Sequence, residues 1–248
     1  MHIRFAVLCH NFQQRLCWQL SSILEQEDFD ARLSIEVACM PLNGNPSTEY
    51  VCDFFRGRGL DVEEYYYPKE IFAKRGLVRN EQTKHAKEMG CDWMFYADCD
   101  NVYSPDFFHC LVEHLKMTHA TNCIYSKWKD HTEVEPTNQH ARLAAMCPYI
   151  VDAYRRADNE IPKIVKGNKP VAAGCMQVCR ISDIQEKTGG IYVENSRDSH
   201  LFNNGQGAKS DKQFRRMMGG STHIALPKQI HLNHVRDKEE GKHVDQQR

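Results

Sequence analysis

The 248 residues contain no run approaching the roughly 18 consecutive apolar residues of a membrane-spanning helix. The short N-terminal apolar block, Ile3 to Leu8, is not followed by a signal-peptide cleavage pattern, so the expectation is a soluble, cytoplasmic chain. An excess of one charge is also missing, since 32 Lys and Arg face 33 Asp and Glu. That balance excludes a global pull toward nucleic acid or anionic membrane and leaves selectivity to a local site. Internal repeats and low-complexity linkers are absent, and the length suits one α/β domain over residues 1–236 followed by a charged tail over 237–248. No Cys-x2-Cys pair occurs among the eleven cysteines, and the nearest spacing, Cys175-x3-Cys179, has no second pair nearby. Structural zinc is therefore disfavoured despite thirteen histidines. Cys9, Cys39, Cys110, Cys123 and Cys147 sit in or beside apolar segments, which points to buried free thiols.

What is present is an alternation of strand-like and helix-like blocks. Ile3 to Leu8 reads as a strand, and Leu16, Leu20, Ile23 and Leu24 then recur at helical spacing up to about Glu27. Leu33 to Met40 reads as a second strand with a loop from Pro41 to Pro46. A helix carrying Tyr50, Val51, Phe54 and Phe55 ends at Gly57 to Gly59, and Val62 to Tyr67 makes a third strand. A polar helix over about 77 to 89 leads through Gly90 into the segment Trp93 to Asn101. Pro105 opens an amphipathic helix through Leu115, and Asn122 to Ser126 supplies another strand. This βαβαβ rhythm predicts a parallel sheet. Residues 127–170 are the least readable and suggest an excursion that covers or shapes a pocket. Val171 to Ile181 is strand-like, Gly189-Gly190 is a turn, and the polar run from Asn195 to Ser210 reads as a loop. A helix is expected from about Asp211 to Met218, and Ile230 to Val235 reads as a last short strand.

Within Trp93 to Asn101 an apolar run stops at Asp98-Cys99-Asp100. Such a run fits a strand covered on both faces, and in parallel α/β sheets ligands gather at the carboxyl ends of the strands. If the extended geometry continues, Asp98 and Asp100 point the same way and Cys99 points oppositely. Adjacent carboxylates repel unless a cation neutralises them. Oxygen donors without a thiol-histidine cluster suit a hard ion such as Mn²⁺ or Mg²⁺, which keeps positions open for phosphate oxygens. The plainer alternative is a strand ending in an Asx-rich turn.

Several separated pieces together resemble the GT-A fold glycosyltransferases, in particular the family 2-like enzymes that use nucleotide-sugar donors. The opening strand with Cys9-His10-Asn11 and the following helix is similar to the family's first donor-binding unit. Arg79-Asn80 is similar to its Arg-Asn element, and Asp98-Cys99-Asp100, with Asn101 where many members have a further Asp, to its Asp-x-Asp motif. Gly174 to Arg180 and Gly189-Gly190 look like the acceptor-side element. Ser210-Asp211-Lys212 looks like the place of the catalytic carboxylate, departing from the frequent Glu-Asp pair. His231-Leu232-Asn233-His234 resembles the C-terminal histidine that completes the metal shell. The likeness covers most of residues 3–236 and does not align across 127–170.

The resemblance implies a GT-A type α/β fold, a Rossmann-like, mostly parallel sheet flanked by helices, with a small antiparallel acceptor-side portion. It implies a nucleotide-sugar-binding half over about 1–104 and an acceptor-binding half over about 105–236. Mn²⁺ or Mg²⁺ would be held by Asp98, Asp100 and His234, with His231 as the other candidate. Asp100 is the direct ligand in this reading, and Asp98 meets ribose or the outer metal shell. Cys9, His10, Asn11, Arg79 and Asp98 fall on the donor side, and Asp211 becomes the base of a transfer with inversion. The implied donor is a UDP-sugar, with a GDP-sugar as the alternative. The implied acceptor is a hydroxyl of a glycan, a protein, a small molecule or a modified nucleobase.

Each residue also has a plainer reading. Asp211 suits a helix N-cap, and Arg79 suits a pin for the acidic strand or a surface salt bridge. Tyr96, Trp93 and Trp128 suit core packing as well as stacking on base or sugar. Lys212, Arg215 and Arg216 suit a solvated helix face as well as a phosphate-facing cluster. Asp98 to Val102 is also similar to the first motif of haloacid-dehalogenase-type phosphatases, in which Asp98 would be the phosphorylated nucleophile. That family usually begins with the motif strand, whereas three strand candidates precede it here. A non-catalytic nucleotide-sugar or glycan binding module is the third reading.

Overall fold

The computed structural model describes residues 1–9, 13–40, 48–72, 74–126, 130–132, 164–165, 176–192, 208–227 and 229–231. The first part runs β1 (His2–Leu8), α1 (Gln13–Leu24), β2 (Arg32–Cys39), α2 (Thr48–Arg56), β3 (Val62–Tyr66), α3 (Lys69–Phe72), α4 (Arg75–Glu88) and β4 (Trp93–Asp98). These four strands are parallel and lie in the order β4-β1-β2-β3. The chain moves outward from β1 to β3 and then returns to the other side of β1. The carboxyl ends of β1 and β4, where Leu8 pairs with Asp98, therefore form the topological switch point at which open α/β sheets bind ligands.

The second part runs β5 (Asn101–Tyr103), α5 (Phe107–Met117), β6 (Cys123–Ser126), β7 (Asp130–Thr132), β8 (Ile164–Val165), β9 (Met176–Arg180), α6 (Ile181–Thr188), α7 (Ala208–Met217), β10 (Ser221–Ile224) and β11 (Gln229–His231). β9 enters the main sheet antiparallel between β4 and β6, and β10 completes that edge parallel to β6. A smaller sheet has the order β5-β11-β7-β8, with β5 antiparallel to β11 and β7 antiparallel to β8. The expected α/β fold with a mostly parallel main sheet and an antiparallel portion is thus observed.

Some element boundaries differ from the sequence expectation. Ile181 begins a helix rather than ending a strand, and α6 closes on Gly189 in the left-handed region at φ 67°. α7 begins at Ala208, so Asp211 lies inside its first turn and is not the N-cap. A carboxylate there still complements the helix dipole. β5 and β10 were not expected from the pattern. The last strand, expected over Ile230 to Val235, is described as Gln229–His231, and residues 232–235 lie outside the described residues.

Alternation sorts β1 and β4 onto two faces. Ile3, Phe5, Val7, Trp93, Phe95 and Ala97 pack against α1 and α5 through Leu16, Leu20, Ile23, Phe107, Phe108 and Leu111. Phe5 and Phe95 lie 4.7 Å apart between ring centroids, and Tyr103 and Phe107 lie 4.6 Å apart. Each such buried side chain contributes about 1.5–3 kcal/mol. On the opposite face Ala6, Met94 and Tyr96 join Ala86 of α4, Ile184 of α6 and Phe214 of α7. Arg4 is buried on β1 between Glu36 and Glu63, each at 3.1 Å, and His85 Nδ1 lies 3.2 Å from Glu36.

The nine described cysteines are free thiols, and Cys9, Cys39, Cys52, Cys91, Cys99, Cys123 and Cys179 are buried. Burial pushes Cys17 up to about 11 and Cys39 up to about 12. Cys147 and Cys175 lie outside the described residues. Among the described residues no helix is long and apolar enough to cross a membrane.

Candidate active site

The site grows out of the way α4 lies across the ends of β1 and β4. Val78, Arg79, Gln82, Thr83 and Ala86 form its buried stripe at helical spacing. Arg79 is fully buried. Its Nη1 donates to the Ala6 carbonyl at 2.8 Å and to Gln82 Oε1 at 3.0 Å, and its Nη2 donates to the Ala97 carbonyl at 2.8 Å. Gln82 Nε2 in turn donates to the Val7 carbonyl at 3.1 Å. Of the roles considered for Arg79, the geometry is that of a pin tying β1 to β4, with its guanidinium turned into the protein. Its charge still reaches Asp98 Oδ1 at 3.8 Å.

One helical turn earlier, Arg75 makes the direct ion pair with Asp98. This residue carried no motif signal, because its role depends on the phase of α4 over the sheet. The side chains of Arg75 and Asp98 are 21% and 29% exposed, so the pair is partly open to solvent. Burial weakens the Arg75 cation, yet the carboxylates of Asp98, Asp211 and Asp100, with Tyr192, outweigh it and raise its pKa. Asp98 is pushed above the usual carboxylate range by burial, against the pull of Arg75 and with the help of Asp100 and Asp211. The Asp-x-Asp carboxylates and Asp211 therefore share one electrostatic neighbourhood, although more than one hundred residues separate them in sequence.

The expectation that Asp98 and Asp100 share a strand face is corrected. β4 ends at Asp98, and Cys99-Asp100 forms a two-residue turn into β5. Side-chain amides fix that turn. Gln19 Nε2 donates to the Asp98 carbonyl at 2.7 Å, and Asn101 Nδ2 donates to the same carbonyl at 3.1 Å and to Asp100 Oδ1 at 2.9 Å. Asn101 Oδ1 accepts from Gln229 Nε2 at 3.2 Å. Gln19, Asn101 and Gln229 are all buried. Gln19 has one sequence signal, a polar residue on the apolar face defined by Leu16, Leu20 and Ile23. Cys99 packs into the α1 and α5 core, where burial and the hydrogen bond to Cys9 hold both thiols inward. The buried Cys9 side chain, expected on the donor side, is thus part of the support beneath the turn. His10 and Asn11 lie outside the described residues.

Asp211 receives a hydrogen bond at 2.6 Å from the hydroxyl of Tyr192, a residue that the sequence pattern did not mark. β11 pairs with β5 so that His231 stands opposite Asn101, which brings the backbone of the C-terminal histidine segment beside the acidic turn. His234 lies outside the described residues. Tyr96 is a core residue bonded to Thr83 at 2.5 Å, and Trp93 is buried at the far end of β4 with Arg180 4.9 Å from its ring centroid. Trp128 lies outside the described residues. Lys212 and Arg216 are exposed and Arg215 is half-buried.

Among the described residues no group of three His, Cys, Asp or Glu side chains is arranged as a complete metal shell. The donor chemistry nevertheless fits a hard divalent cation, which needs only one or two carboxylates when phosphate and water supply the other oxygens. Asp98, a desolvated carboxylate whose pKa is raised by burial and by its acidic neighbours, is the kind of group such an ion relieves.

No protein family profile and no curated protein matches this chain. Solved structures do. TarS of S. aureus matches with a TM-score of 0.60 at 11% identity, over 98% of this chain and 39% of TarS. The mannosyltransferase PcManGT of Pyrobaculum calidifontis, in complex with GDP-Man and Mn²⁺, matches with a TM-score of 0.54 at 14% identity, over 96% of this chain and 59% of that one. GalNAc-T7 with UDP, GalNAc and Mn²⁺ matches with a TM-score of 0.56 at 12% identity, over 95% and 44%. The chain thus has the GT-A glycosyltransferase fold, and it spans 39% to 59% of the length of these three proteins.

Proposed function

We propose that this chain is a metal-dependent glycosyltransferase that moves a sugar from a nucleotide-sugar donor to a hydroxyl acceptor with inversion. The observation that carries the reading is the convergence of Asp98, Asp100, Asp211 and Arg75 at the switch point of a GT-A fold. Asp100 and Asp98 would hold Mn²⁺ or Mg²⁺, with His234 completing the shell on the protein side. The bound cation would neutralise charge developing on the departing diphosphate. Arg75 is the protein's own cation at that position and would meet the same phosphate oxygens. Asp211 would accept the proton of the acceptor hydroxyl as its oxygen forms a bond to the anomeric carbon. The bond from that carbon to the phosphate oxygen breaks, and its electron pair leaves with the nucleoside diphosphate.

The donor reading favours a UDP-sugar, with a GDP-sugar as the alternative. It is supported by the UDP and UDP-GlcNAc complexes of TarS and by the GDP-Man complex of PcManGT. The acceptor is a hydroxyl of a glycan, a protein, a small molecule or a modified nucleobase. The phosphatase reading of Asp98 has less support, since β4 follows three earlier strands of the same sheet and its aspartate is paired with Arg75. The test is calorimetric titration of UDP and GDP, with and without Mn²⁺, against the wild-type chain and Asp100→Ala. Micromolar binding that needs both the metal and Asp100 supports the reading and identifies the base, whereas metal-independent or absent binding rejects it.

A further inference from the structure

Tyr192 follows the Gly189-Gly190 turn and is fully buried. Its hydroxyl accepts from Gln177 Nε2 at 2.9 Å and donates to Asp211 Oδ1 at 2.6 Å. Because the amide of Gln177 occupies the phenol oxygen as donor, the single phenol hydrogen is committed to Asp211. The backbone N–H of Tyr192 donates to Asn80 Oδ1 at 2.6 Å, which ties it to α4. The ring stacks on Phe214 at 4.1 Å and 18°, and meets Tyr96 edge-on at 4.9 Å. Asp211 and Phe214 are one turn apart on α7, so that helix grips the tyrosine by its hydroxyl and by its ring together. Among the described residues, Tyr192 makes the one hydrogen bond to the Asp211 carboxylate.

We propose that Tyr192 is a positioning residue for Asp211, fixing the rotation of the carboxylate so that Oδ2 is the oxygen presented to the acceptor hydroxyl. The inference rests on the reading of Asp211 as the base. An unrestrained aspartate on a helix's first turn samples several rotamers. Proton abstraction requires the accepting oxygen within hydrogen-bond reach of the hydroxyl. A charge-assisted bond to Oδ1 removes that freedom while leaving the second oxygen for chemistry. The same tyrosine joins β9 to the helix carrying Arg75 and Arg79, so base and acidic turn are held by one set of contacts.

Tyr192→Phe deletes the hydroxyl and keeps the ring. The experiment measures release of UDP or GDP from UDP-GlcNAc, UDP-glucose and GDP-mannose with Mn²⁺ by the full chain. The expected result is kcat lowered about tenfold or more with donor KM and Mn²⁺–UDP affinity unchanged. Asp211→Asn abolishes turnover, and adding Tyr192→Phe to it lowers nothing further. Wild-type kcat in Tyr192→Phe, or a loss confined to KM, overturns the inference while leaving the base reading intact. Wild-type turnover in Asp211→Asn overturns the base reading and the inference with it. A melting cycle of Tyr192→Phe, Asp211→Ala and the double variant decides independently of turnover. A double-variant Tm loss smaller than the sum supports the link, and additive losses overturn it.

Discussion

The guanidinium of Arg75, at the first position of α4, is ion-paired with the carboxylate of Asp98, at the last position of β4. The pair brings a cation of the protein itself to the place where the proposed chemistry needs positive charge. Arg79, one turn further along the helix, holds the strand ends from beneath.

Arg75→Ala is expected to raise the affinity for free Mn²⁺ and to weaken UDP or GDP binding in the presence of Mn²⁺. The first effect follows from removing a cation that competes for Asp98. The second follows from losing a charge-assisted contact worth about 1.5–3 kcal/mol, roughly 10- to 160-fold. Titrations of the metal alone and of nucleotide with metal separate the two, and equal shifts of the same sign would contradict the assignment.

Arg79→Met is expected to destabilise the fold by about 3 kcal/mol or more, because it strips hydrogen-bond donors from the buried carbonyls of Ala6 and Ala97. Denaturant unfolding measures it. Stability near wild type with lost nucleotide binding would instead return Arg79 to the donor site.

Phe95→Ala removes the ring at the centre of the aromatic cluster formed with Phe5, Tyr103, Phe107 and Phe108. The expected cost is about 3–5 kcal/mol from lost burial and a residual cavity. The unfolding midpoint in urea checks it, and a shift under 1 kcal/mol, about that of a surface substitution, would mean the cluster is not packed as described.

His85 titrates against the buried Glu36. The hydrogen bond to Glu36 raises its pKa above 6.5, partly opposed by burial. A raised folded-state pKa means that protonated His85 contributes stability fully below about pH 6.5, and that the contribution fades as pH rises through the folded value. The Tm difference between wild type and His85→Gln should therefore be larger at pH 5.5 than at pH 8.5. A difference that grew with pH would reverse the sign assigned to this contact.

Apolar runs made β1, β2 and β4 legible because both faces of those strands are buried, and apolar residues at helical spacing did the same for α1 and α2; β3, with only Val62 buried, showed by its place before Pro68, and α4 as a polar stretch ahead of Gly90. The three-residue β5 is too short for any period to register, and β10 reads Ser-Thr-His-Ile at the sheet edge, where one neighbour suffices. α6 is a short helix of mixed polarity whose clearest marker is the glycine that closes it. At the site, the acidic pair and Asp211 stood out as carboxylates beside apolar or glycine-bearing segments. Arg75, Gln19 and Tyr192 did not, since each acts across a long sequence interval and becomes visible only once the helices are placed over the sheet.

The turn Cys99-Asp100 is also a covalent link between the main sheet, through β4, and the small sheet, through β5. A link of two residues has no slack, and its carbonyl is clamped from α1 by Gln19. Gripped from α1 and, through Asn101 and Gln229, from the small sheet, the acidic turn has its shape set by both layers at once, before any ligand arrives.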